Sequence, residues 1–238
     1  MKVLIADKFE QVGLDAMREA GCEVVYQPDL KGDALRDAIV ETGCGVLVVR
    51  STRVEADMLT AQRDLALVVR AGAGYNTIDV PAASAASVLV ANCPGKNAVA
   101  VAELAFALML SLDRRVADNV IDLRAGKWNK KTYSSARGLK GRTLGIVGMG
   151  RIGKAVVARA HAFEMPVVAW SRSLDDAAAD EIGVTRCASA ADVASKCDIL
   201  SIHLASAPET KGLIDADVLS RLRPGSYVIN TARADVMD

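Results

Sequence analysis

Aromatic side chains are scarce in this 238-residue sequence, at 4%, so the core has to be aliphatic, and the 51% hydrophobic content can supply it. Charge of either sign is not in surplus. Twenty-nine Lys+Arg stand against 29 Asp+Glu, which removes the basic footprint expected for a nucleic-acid partner or an anionic membrane surface. The CxxC pairing of a zinc site is missing, and five scattered cysteines (Cys22, Cys44, Cys93, Cys187 and Cys197) do not indicate a disulfide framework. They read as buried small hydrophobes, and no metal is expected. Long apolar runs are also missing: Met1–Asp7 is too short for a signal peptide, and the run from Ala98 to Leu112 is interrupted by Glu103. The expectation is a cytoplasmic protein with neither a membrane nor a nucleic acid as partner.

What is present is alternation. Short aliphatic runs (Val3–Ala6, Val24–Tyr26, Val46–Val49, Leu67–Arg70) are each followed by a helical pattern: Gln11–Ala20, Asp33–Glu41, Ala56–Gln62 and Pro81–Ala86. A second series of runs follows at Thr143–Val147, Val167–Trp170, Ile199–His203 and Tyr227–Asn230. Continuous apolar runs mark buried parallel strands, so the class is α/β, with two parallel sheets covered by helices. Between the series, Leu104, Leu108, Leu112 and Val116 keep a four-residue spacing that predicts one long helix from about Ala98 to about Arg124. The expected units are residues 1–95 and 96–238.

Gly148-Met149-Gly150-Arg151-Ile152-Gly153 follows the strand Thr143–Val147 and opens the helix Lys154–Phe163. Between a strand and a helix, each glycine of GxGxxG has a task. Gly148 makes the turn, Gly150 lets backbone approach a pyrophosphate, and Gly153 allows close helix packing. The free N–H groups and positive end of the helix favour the anion. The alternative is a tight turn that binds nothing.

The next strand should end in a carboxylate for the ribose of NAD, yet Trp170 is followed by Ser171-Arg172-Ser173. A guanidinium with two hydroxyls suits a 2′-phosphate, so NADP is favoured. NAD stays possible if Arg172 is only a solvated charge and Asp175 or Asp176 reaches back. Arg233 follows the strand Tyr227–Asn230 at the carboxyl edge of the sheet, where its planar fork suits a carboxylate, the alternative being a surface salt bridge. Arg50 and Arg53 read either as phosphate contacts or as solvated loop charges.

The segments 49–53, Arg70-Ala71-Gly72-Ala73-Gly74 through Asp79, Gly95-Lys96-Asn97, Val101–Leu104, Gly126-Lys127-Trp128, the glycine loop, Pro208-Glu209-Thr210 and Asn230–Arg233 together resemble the D-isomer-specific 2-hydroxyacid dehydrogenases. The resemblance spans essentially the whole chain. It implies a flavodoxin-like substrate domain, a Rossmann-type dinucleotide-binding domain, catalysis in the cleft between them, and a homodimer. It also implies hydride transfer between a nicotinamide cofactor and a small D-2-hydroxy or 2-oxo acid of the 3-phosphoglycerate or hydroxypyruvate/glyoxylate type. Residue by residue, Arg233 would bind the carboxylate and carbonyl of the substrate, Gly72, Ala73 and Gly74 would offer N–H groups to the carboxylate, and Asn97 would position it. Arg50 and Ser51 would meet a distal phosphate. Arg151, Ile152, Leu204, Ala205, Thr231 and Ala232 join the glycines and residues 171–173 in facing the cofactor.

The sequence departs from the family in three places. It stops at Asp238, where the family continues to a paired Glu and His that act as acid and base. The expectation is therefore a second domain without its last strands and little turnover by these 238 residues alone, with His203 the only internal candidate for the acid. A non-catalytic nucleotide-sensing relative, like the corepressors of this fold, is the alternative. Glu164 stands where the family has Gly, so the preceding helix is expected to end differently. Ala234 stands where it has Gly after the active-site Arg, which would cost about 1 kcal/mol if φ were positive there.

Overall fold

The computed structural model describes residues 1–238, in two compact units, Met1–Asn97 and Ala98–Asp238. In the first, strands β1 (Lys2–Ile5), β2 (Glu23–Tyr26), β3 (Val46–Val49), β4 (Leu67–Arg70) and β5 (Leu89–Ala91) alternate with helices α1 (Gln11–Glu19), α2 (Asp33–Thr42), α3 (Ala56–Leu59) and α4 (Val80–Ala85). All pairings are parallel, in the order β2-β1-β3-β4-β5. This is the flavodoxin-like order, and its direction reverses between β1 and β3. Every residue of β3 is buried, as a strand covered on both faces requires.

The second unit opens with α5 (Ala98–Arg114) and α6 (Val116–Arg124). It continues through β6 (Leu144–Val147), α7 (Arg151–Ala162), β7 (Val167–Trp170), α8 (Asp176–Glu181), β8 (Thr185–Arg186), α9 (Ala190–Lys196), β9 (Ile199–Ile202), α10 (Ala216–Ser220) and β10 (Tyr227–Asn230). A 3-10 turn at Ala234–Val236 closes it. The parallel order β10-β9-β6-β7-β8 is the Rossmann order seen from its other side, reversing between β6 and β9. Ligands of open α/β sheets bind beyond the carboxyl ends of the strands at such reversals. The edge strands β5 and β8 add one strand per sheet to those read from the sequence. They are only three and two residues long, and β8 is exposed and carries no apolar residue.

The long helix predicted over Ala98–Arg124 is two helices. Arg115 lies between them with φ 50° and ψ 45°, in the left-handed region, and no glycine or proline signals the break. The face is also not the expected one: Leu104, Leu108, Leu112 and Val116 are exposed, while Ala98, Ala102, Ala105, Phe106, Met109 and Asp113 are buried. Small residues let α5 lie close against α7, and close approach outweighs the larger hydrophobicity of the leucine stripe. Three cysteines are buried, but Cys22 and Cys93 are only half-buried.

The expectation about Glu164 is corrected in the same unit. Helix α7 ends as if glycine were present, with Glu164 at φ 55°. Met165 N–H donates to the Ala160 carbonyl at 3.0 Å and Glu164 N–H to that of His161 at 2.9 Å, the two bonds of a Schellman cap. Ala234, by contrast, is not among the residues with positive φ. It begins the 3-10 turn, and the expected strain does not arise.

A buried polar node ties the second unit together. Asp113 of α5 accepts from Gly138 N–H at 2.9 Å and pairs with Arg142 at 3.4 Å, both side chains being almost wholly buried. The Arg142 guanidinium lies 4.3 Å from the ring centroid of Tyr227 on β10, whose hydroxyl donates to Asp113 at 3.4 Å. No helix of the chain is long and apolar enough to cross a membrane.

Candidate functional site

The glycine loop stands where β6 meets α7. Gly148 has φ 102°, and a Cβ there would fall on the His203 carbonyl oxygen. A Cβ at Gly153 would fall on the Gly148 carbonyl oxygen, so both positions are closed to side chains by packing alone. Gly150 differs: nothing lies within 4 Å of its would-be Cβ, and its φ of −76° suits any residue. The first i→i−4 bond of α7 runs from Lys154 N–H to the Gly150 carbonyl at 3.0 Å, so the amides of 151–153 precede the helical ladder. This is an open cradle at a helix N-terminus that fits a pyrophosphate.

Beyond β7, Ser171, Arg172 and Ser173 line up on the same sheet edge, since Trp170 pairs with Val147. Arg172 and Ser173 border an open cavity of about 290 Å³ shared with Leu174, Asp175, Asp176 and Arg186. Neither carboxylate on that wall is uncommitted. Asp175 caps α8 by accepting from Ala178 N–H at 2.8 Å, and Asp176 is 3.4 Å from Arg186.

The loops after β9 and β10 complete this edge. Leu204 and Ala205 follow His203. Asn230 braces the Thr231-Ala232-Arg233 turn, accepting from Ala232 N–H and donating to the Arg233 carbonyl, each at 2.9 Å. Arg233 is exposed, and its Nη1 donates to the Ala232 carbonyl at 2.9 Å. Ser206 Oγ donates to Asp235 at 2.6 Å, joining the two loops. His203 is buried, with Nε2 2.9 Å from Ser201 Oγ. Burial lowers its pKa to about 4, so the ring is neutral at ordinary pH and holds no imidazolium proton to give. His161 is exposed and faces the Gly183 carbonyl at 3.1 Å.

In the first unit the reversal between β1 and β3 is occupied by Asp7, which the sequence reading passed over. Its carboxylate accepts N–H bonds from Arg50 at 2.7 Å and from Ser51 and Thr52 at 3.0 Å each. Burial pushes the Asp7 carboxyl up, but the donors from Arg50, Thr52 and Ser51 outweigh it and bring the pKa down to about 2. A depressed folded-state pKa stabilises above the unfolded value of about 3.9 and is lost as pH falls through the folded one. We expect the parent to lose on the order of 1–2 kcal/mol between about pH 4 and pH 2 through this group. Asp7→Asn should flatten that part of the curve. Urea unfolding of both proteins across this range reads it, and parallel curves would refute the clamp.

The Gly72-Ala73-Gly74 loop follows β4, next to β3. Asn92 Nδ2 donates to the Ala73 carbonyl at 2.6 Å and Cys93 N–H to that of Gly72 at 2.9 Å, so the loop is tied to the segment that leads to Asn97. A Cβ on Gly72 would fall on the Arg70 guanidinium. Arg53 borders a second cavity of about 310 Å³ with Lys31, Gly32, Ser51, Thr52, Glu55 and Met58. Asp7, Asn92 and Asn230 share one detectable signal: each is a short polar residue just after, or at the end of, a parallel strand.

The second unit is therefore a Rossmann-type dinucleotide-binding fold with its glycine loop at the reversal of strand order. Residues 106–238 match the model of the D-isomer specific 2-hydroxyacid dehydrogenase NAD binding domain, and the chain belongs to that family. It is 38% identical over 236 residues to D-3-phosphoglycerate dehydrogenase of Mycobacterium leprae, covering 99% of this chain and 44% of that protein. A crystal structure of a putative D-isomer specific 2-hydroxyacid dehydrogenase from Polaromonas superimposes with a TM-score of 0.89 at 27% identity, covering all of this chain and 75% of that one. Phosphoglycerate oxidoreductase from Vibrio cholerae gives 0.78 at 31% identity, covering all of this chain and 77% of that one. The chain thus spans less than half the length of the curated relatives it matches.

Proposed function

We propose that this chain serves NADP-dependent hydride transfer on a small D-2-hydroxy or 2-oxo acid, of the 3-phosphoglycerate or hydroxypyruvate/glyoxylate type. The observation that carries the cofactor choice is the wall beyond β7. Arg172, Ser171 and Ser173 have uncommitted side chains, whereas Asp175 is held as a helix cap and Asp176 by Arg186. A carboxylate tied to a cap is a poor ribose acceptor, and a free guanidinium is a good phosphate donor.

A nicotinamide dinucleotide, when bound, exchanges the hydride. The chain's own residues bind and orient. Amides 151–153 would face the pyrophosphate, and the Asn230-braced turn would present Arg233 to a carboxylate and carbonyl, while within the first unit the Gly72–Gly74 amides would offer donors to an anion. Asn97 positions the acid, and Arg50 and Ser51, ordered by Asp7, meet a distal phosphate. Reduction also needs a proton at the carbonyl oxygen, a role that neutral, buried His203 does not fit.

Arg172→Ala should weaken NADPH binding by roughly 1.5–3 kcal/mol while sparing NADH. Fluorescence titration with both nucleotides checks this, and equal losses would refute the assignment. Oxidation of NADPH with hydroxypyruvate, glyoxylate and 3-phosphohydroxypyruvate then ranks the substrates.

We further propose a homodimer seated on α5 and α6, where Leu104, Leu108, Leu112, Val116, Val120 and Leu123 remain exposed. Light scattering is expected to give twice the chain mass of 25.0 kDa, and a monomer at all concentrations would refute it.

A further inference from the structure

The cavity that Arg172 borders is also lined by Arg186, on the two-residue edge strand β8. Its side chain is fixed rather than loose. Nε donates to the Leu174 carbonyl at 2.8 Å, Nη1 lies 3.4 Å from Asp176, and Nη2 makes no hydrogen bond. Leu174 is buried, so its carbonyl is a steady anchor. The cavity therefore holds two guanidiniums, one unpaired and one half-paired, beside a carboxylate that opposes any anion entering.

We infer that Arg186 is a second specificity residue for the 2′-phosphate, and that Asp176 sets its strength by competing for the same guanidinium. This rests on the NADP reading above. A phosphate monoester presents three acceptor oxygens, more than Arg172 alone uses, and the planar fork of Arg186 retains donors for one of them. Asp176 both repels the dianion and occupies Nη1, so part of the available attraction is held back in the parent protein. Arg186 thus discriminates by charge, and Asp176 limits how far.

The test uses binding alone, by titration calorimetry of this chain with 2′,5′-ADP and with 5′-AMP, which differ only in the 2′-phosphate. Arg186→Ala should weaken 2′,5′-ADP by about tenfold or more with 5′-AMP changed by less than about twofold. Asp176→Asn leaves the bond from Arg186 to Leu174 intact and should tighten 2′,5′-ADP by about threefold or more with 5′-AMP unchanged. If Arg172→Ala loses 2′,5′-ADP selectively while both other variants bind as the parent does, the role of Arg186 is refuted and the NADP reading stands. If none of the three alters the preference between the two probes, the NADP reading fails as well. A loss common to both probes in Arg186→Ala would mark collapse of the Leu174 loop and overturn direct recognition.

Discussion

Gly150→Val should fold as the parent does and bind no dinucleotide. Position 150 has open space where a side chain would project and a φ of −76° that a β-branched residue accepts. Its methyl groups would instead stand before the amides of 151–153, where the pyrophosphate has to come. Losing even one or two charge-assisted bonds there amounts to on the order of 3 kcal/mol, an affinity loss of about 100-fold or more. Gly153→Val is the contrasting variant. Its side chain would be driven into the Gly148 carbonyl, so the fold itself should suffer. Circular dichroism melts separate the two, and nucleotide titration of Gly150→Val gives the result. Unchanged affinity in a folded Gly150→Val protein would remove the glycine loop from the cofactor site.

Asp113→Ala should be among the most destabilising single changes in the second unit. It leaves the buried Arg142 guanidinium without its counter-charge and removes the acceptor of Gly138 N–H and of the Tyr227 hydroxyl. Breaking a buried pair from one side costs about 3–5 kcal/mol, because the remaining charge stays out of water. For a domain of this size that lowers the melting temperature by roughly 6–20 °C. Replacing both partners, Asp113→Leu with Arg142→Met, should recover much of the loss, since two apolar groups leave no stranded charge. A single variant that melts with the parent, or a double variant no better than the single, would show that the node carries no such energy.

The strands that build the two sheets were readable because parallel strands covered on both faces must be apolar throughout, as in Val46–Val49 and Leu144–Val147. The glycine loop was readable for a related reason: its spacing has meaning only between a strand and a helix. The face of α5 was not readable. Leucines and alanines both recur along that helix, and hydropathy favours the leucines, whereas the choice depends on how closely α7 approaches. Arg115 adopts a left-handed conformation without the residue type that advertises one. Nothing in the sequence links Asp113 to Arg142, its partner 29 positions along the chain. In the candidate site, Asp7 and Arg186 were invisible because their partners, the amides of 50–52 and the Leu174 carbonyl, are backbone groups with no sequence signature.

The placement of β6 in the middle of its sheet affects how the second unit comes to be folded. Leu144 pairs on one side with Val167, which follows soon after, and on the other with Ile199, which arrives only after three more helices and two more strands. During synthesis the β6–β7 pair therefore waits with one apolar edge unfilled, a flat template for any other extended segment nearby. Closing so distant a contact is entropically slow, and parallel pairing cannot be hastened by a tight turn. Chains interrupted between α7 and β9 are expected to aggregate rather than persist as half-domains. Chaperone dependence should be concentrated in the interval before Ile199 leaves the ribosome.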